Sequence, residues 1–222
     1  KGVFNAFINV DTQLFLDPHL LKSSTIPEFK DSYGRILQHY KAIQTLLNVS
    51  EREGDKPWKE AWKRFIFREI PGVAIGYGKH NANGSGIGPA LARRLLDSAS
   101  QITKLGIKDP EVFALLGLFE EGFGADRLSD MAISIIRQDI YTYTQRVCIE
   151  LKIQKVIAFH NKDQKWLLPY SEKTSKPLLF IPMGLLRDLP VALSWEDIGD
   201  VADLNQELRD RLNSLIAYLW SG

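Results

Sequence analysis

Apolar residues recur every three or four positions at Phe29, Tyr33, Ile36, Leu37, Tyr40, Ile43, Leu46 and Leu47. That period lines one face of an α-helix, and Ile26-Pro27 supplies its start, so a helix is predicted to about residue 47. Pro57 suits the first turn of a short helix carrying Trp58, Trp62 and Phe65. Leu91, Leu95, Ala99 and Ile102 predict a helix over about 89–105, with Gly106 as its C-terminal cap. Asp109-Pro110 opens another, to about residue 119. The stripe Leu128, Ala132, Ile135, Ile136, Ile140, Tyr143, Val147 and Leu151 predicts one long helix, from about residue 126 or 130 to 151. Ser194 with Asp197 reads as a capping box before a last amphipathic helix through Leu204, Leu208, Leu212, Leu215, Ile216 and Leu219.

Strand signals are shorter. Residues 3–10 mix β-branched and aromatic positions, and Leu14-Phe15-Leu16 follows after a turn at Asp11-Thr12. Asp17-Pro18 ends that second strand, because proline has no N–H for a ladder. Residues 73–77 are a further candidate. Residues 155–159, 165–168 and 178–182 predict an antiparallel meander, with turns at 160–164 and 170–177. These elements predict an α/β, mixed α+β fold, with a small, mostly antiparallel sheet flanked by amphipathic helices. No linker-like stretch divides the chain, so residues 1–222 are expected to be one domain. Lys1 in place of Met reads as a trimmed or processed start, and the domain is open to being a fragment of a longer protein.

Composition narrows the class. Apolar residues make up 45% and charged residues 25%, which excludes a disordered chain. Formal charge is +1, from 28 basic and 27 acidic residues, so no global attraction to nucleic acid or acidic membranes is expected, although a local basic patch stays open. Cys148 is the single cysteine, which excludes an intrachain disulfide and every multi-cysteine zinc site. A buried, inert thiol is expected there. No run approaches a membrane span, and residues 1–20 lack a signal-peptide layout. A cytoplasmic protein without membrane association is the expectation.

Three constellations carry candidate chemistry. Glu120, Glu121, Asp126 and Asp130 gather four carboxylates around Gly122 and Gly124. Asp126 and Asp130 are spaced to share one helix face, and paired carboxylates suit Mg²⁺ or Mn²⁺. Such a cation polarises a phosphoryl oxygen and generates hydroxide. The same residues also suit helix capping, with Ser129 or Asp130 as the N-cap. The second constellation is Gly84-Ser85-Gly86-Ile87-Gly88-Pro89, which opens a helix. Its free amides and close backbone approach suit a phosphate, with Lys79, His80, Arg93 and Arg94 flanking it. The bland alternative is a surface turn, since neither Walker A nor Rossmann spacing is present. The third is Glu150-x-Lys152.

An upstream Asp followed by Glu-x-Lys resembles the PD-(D/E)xK nucleases. The resemblance implies that Asp126 or Asp130 and Glu150 hold metal, and that Lys152 stabilises charge at the scissile phosphate. It requires Glu150 and Lys152 on a strand, where residues two apart share a face, whereas the apolar stripe puts Glu150 on a helix. Residues 11–21 (DTQLFLDPHLL), 84–88 (GSGIG), 122–131 (GFGADRLSDM) and 177–190 resemble little-characterised bacterial proteins of restriction or anti-phage defence. That resemblance implies a nuclease effector or a subunit of a defence complex.

The expected function is a metal-dependent phosphodiesterase acting on nucleic acid. Asp126, Asp130, Glu150 and Lys152 are the candidate catalytic residues, with Glu121 as a further metal ligand. Gly84, Ser85, Gly86, Gly88 and Lys79 are the candidate phosphate site. The alternative is a non-catalytic recognition or scaffolding subunit, with the C-terminal helix as a surface for a protein partner or a second copy. A nucleotide-binding enzyme using the same glycine loop is a third reading.

Overall fold

Asp17, Asp55 and Asp109 each cap a helix that opens with a proline in its first turn. The computed structural model describes residues 2, 12–68, 70–76, 86–120, 123–161, 164–172 and 176–189, together with 206, 210, 214, 217 and 218. The expected strand at 3–10 and the capping box at 194–197 lie outside these residues. β1 is Leu14–Leu16, all buried. Asp17 ends it and caps the 3₁₀ helix Pro18–Ser23, its carboxylate accepting from the His19 amide at 2.9 Å. The helix expected from residue 26 divides into a 3₁₀ turn, Pro27–Phe29, and α1, Ser32–Val49. Ile36, Tyr40, Ile43 and Leu47 form its buried face, as their spacing predicts.

In α2 (Lys56–Arg64) the Asp55 side chain accepts from the Trp58 amide, and Pro57 occupies the first turn. α3 is Pro89–Lys104, followed by Gly106 at φ +82, the left-handed conformation expected of a cap. α4 is Pro110–Leu115, capped by Asp109, and continues as the 3₁₀ helix Leu116–Phe119.

The long helix expected to end at residue 151 is two helices, α5 (Ala125–Ile135) and α6 (Arg137–Glu150). Ile136 is the joint, buried, with ψ near 15°. The break gives α6 its own N-terminus, with buried Asp139 in the first turn. There Asp139 accepts from Ser32 Oγ at 2.6 Å and pairs with Arg35, both on α1. A negative charge is favoured at a helix start, which one continuous helix would not offer at this point. The predicted stripe also ends early, since Leu151 is exposed.

β2 (Val156–Asn161), β3 (Gln164–Ser171) and β4 (Lys176–Pro177) form an antiparallel meander in that order. The strand expected over 178–182 is not formed. Its donors go to separate acceptors: Leu178 N–H to Pro169 O, Leu179 N–H to Gly72 O, and Phe180 N–H to Thr144 Oγ1. A strand the sequence pattern missed, β5 (Leu186–Asp188), pairs antiparallel with β1, Phe15 opposite Arg187. In the described part of 73–77 there is no strand, only a parallel bridge between Thr12 and Ile75. The fold is thus mixed α+β with small antiparallel sheets.

One core joins these layers. Phe15 and Leu16 of β1, Phe29, Tyr40 and Ile43 of the α1 region, Leu96 of α3, Val112 of α4 and Ile140 of α6 all belong to it. Trp166 and Leu168 extend it beneath the meander, where the Tyr141 ring packs edge-on against Phe159 and Trp166. Among the described residues, no helix is long and apolar enough to cross a membrane.

Candidate functional site

α5 begins at Gly124 without a side-chain cap, and Asp126 lies in its first turn. The capping expectation for Ser129 and Asp130 is therefore corrected: both lie inside the helix. Ser129 is buried and its hydroxyl accepts the Leu16 amide at 2.9 Å, pinning α5 to β1. Asp126 and Asp130 stand four residues apart on α5 and are both half-buried. That spacing places the two carboxylates on one side of the helix.

The fold sets Asp126 against the segment that leads into the glycine-rich stretch. A β-carbon built on Gly76 would stand 2.6 Å from Asp126 Oδ1, and Gly76 has φ +123. The backbone conformation favours glycine here, and any side chain would also displace the Asp126 carboxylate. Two residues earlier, Ala74 takes φ +56, a left-handed conformation that costs a non-glycine residue energy. Thr12 holds the segment in place: its N–H donates to Ala74 O at 3.0 Å, and Gly76 N–H donates to Thr12 O at 2.9 Å. Farther back, Gly72 lies tightly against the Pro177 carbonyl and accepts from Leu179 N–H.

The far end of the glycine stretch is anchored by Ile87, fully buried and bridged to Phe67. Gly88 is the N-cap residue of α3, exposed and without a side-chain cap. Gly86 is half-buried. Gly84, Ser85, Lys79 and His80 lie outside the described residues, as does Glu121.

Glu150, Arg93, Arg94 and Glu120 are ion-paired. Glu150 is the last residue of α6 and pairs with Arg146 at 2.6 Å, an arginine that also binds Glu28. Lys152 follows in a turn, at φ +54. Neither is on a strand, so the side-by-side geometry of Glu-x-Lys is not formed. Arg93 pairs with Glu53 at 2.6 Å and Asp97 at 2.9 Å and stacks over the Trp58 ring. Arg94 faces Glu120, which also accepts from Ser98 Oγ. These cations balance carboxylates of the protein itself, and Glu120 joins α3 to the turn after α4. Among the described residues, no three His, Cys, Asp or Glu side chains gather as a cation site.

Burial shifts two further titratable groups, Cys148 and His39. Cys148 is buried, and burial raises its thiol above the ordinary range, which favours the protonated form. His39 bonds the Arg64 carbonyl, and burial lowers its imidazole below the ordinary range. Sequence reasoning missed the Ser32–Asp139–Arg35 group and the pairing of buried Asp17 with Arg187 at 2.9 Å. No local signal points to Asp139, because Ile136 and Ile140 keep the apolar period across the helix break. None points to Arg187.

Residues 1–194 match a family described as a domain of unknown function, DUF8370, and the chain belongs to that family. No curated protein matches the chain, and no solved structure does.

Proposed function

We propose that this DUF8370 protein is a divalent-metal-dependent phosphodiesterase acting on nucleic acid, with Asp126 and Asp130 as its metal carboxylates. The observation that carries this reading is the contact of Asp126 with Gly76. It brings the acidic start of α5 beside the segment entering the glycine-rich stretch, two features fifty positions apart in sequence. Carboxylate oxygens suit Mg²⁺ or Mn²⁺, and uncapped amides at the start of α3, next to Gly86 and Gly88, suit a phosphate oxygen. Glu121 as a further metal ligand, and Lys79, Gly84 and Ser85 at the phosphate, belong to the same proposal. The cation would polarise the phosphoryl group and lower the pKa of an attacking water.

We leave Glu150 and Lys152 out of the proposed machinery, because Glu150 ends a helix and Lys152 sits in a left-handed turn, so the two do not share a strand face. The proposal extends to a role as a bacterial nuclease effector in the cytoplasm, which rests on the resemblance of 11–21, 84–88, 122–131 and 177–190 to defence proteins. The test is cleavage of single- and double-stranded DNA and RNA with Mg²⁺ or Mn²⁺, repeated with EDTA. EDTA-sensitive cleavage supports the reading, and its absence on every substrate overturns it.

A second reading, a non-catalytic recognition subunit, has its own observation. Ile149, Leu151, Ile157 and Leu167 are exposed apolar side chains at the end of α6 and on the β2–β3 hairpin. Apolar surface of this kind marks a protein interaction site where the side chains join into one patch.

A further inference from the structure

We draw no further inference here: the strongest candidate, the exposed apolar side chains Ile149, Leu151, Ile157 and Leu167 at the end of α6 and on the β2–β3 hairpin, carries nothing because nothing in the structure shows what covers them.

Discussion

Gly76 and Asp126 meet so closely that a β-carbon on the glycine would lie 2.6 Å from the carboxylate oxygen Oδ1. Gly76→Ala therefore meets two obstacles, this contact and a φ of +123. The substitution should destabilise the protein by more than about 1 kcal/mol, the scale on which Gly→Ala changes act at incompatible positions. Gly34 is the contrast. It lies within α1, exposed, with nothing near its would-be side chain. Gly34→Ala should stabilise by about 0.5–1 kcal/mol through helix propensity alone. Urea unfolding of both variants checks the pair, and equal effects would contradict the described contact.

The Asp139 group should be the most sensitive polar cluster of the helical layer. Asp139→Ala leaves the Ser32 hydroxyl buried without its acceptor and removes the charge facing Arg35. A loss of about 3 kcal/mol is expected, the low end for breaking a buried pair, because Arg35 is half exposed. Ser32→Ala should cost about 1–2 kcal/mol, and the double variant less than the sum. Additive losses would mean that the two side chains act independently.

Much of this helical layer is legible in the sequence, and its failures have identifiable causes. The stripes of α1 and α3 belong to helices buried along one face, and the Asp-Pro pair at 109–110 marks the start of α4. The break at Ile136 is hidden because Ile136 and Ile140 keep the helical period across it. Its stabilising partner, Ser32, is 107 positions away from Asp139. Residues 178–182 look like a strand because they are apolar and β-prone, yet their amides have three unrelated acceptors. At the site, the spacing of Asp126 and Asp130 is a local property that the sequence carries. The approach of Gly76 to Asp126 is a tertiary relationship that no local pattern encodes.

His39 gives the stability a pH dependence of definite sign. Burial keeps its ring below the ordinary imidazole range in the folded protein, so the folded state binds fewer protons than the unfolded one in that window. Stability contributed by the neutral ring is present above about pH 6.5 and is lost as pH falls from there toward the depressed folded value. His39→Gln retains an N–H donor for the Arg64 carbonyl but cannot titrate. Its Tm should fall less than that of the wild type between pH 7 and pH 5. Parallel curves would remove His39 as the cause.

Glu150→Gln and Lys152→Met test the assignment from the opposite side. Glu150 forms an exposed i,i+4 pair with Arg146, worth about 0.3–0.5 kcal/mol. Both variants should keep wild-type metal affinity and cleavage, with Tm within a few degrees. Loss of cleavage in either folded variant would restore the Glu-x-Lys assignment.

The most direct measurement is Mn²⁺ binding by isothermal titration calorimetry, on the wild type, Asp126→Asn and Asp130→Asn, with Tm recorded for each. Asn keeps the size of the side chain but replaces a full charge by a carbonyl dipole, a poor match for a hard cation. Neither aspartate is the N-cap of α5, although Asp126 complements the helix dipole, so its replacement should cost only about 0.3–1 kcal/mol. Saturable binding by the wild type is expected, weakened at least tenfold in each variant while the fold is retained. Wild-type protein that binds no Mn²⁺, or folded variants that bind it as tightly as the wild type, would contradict it.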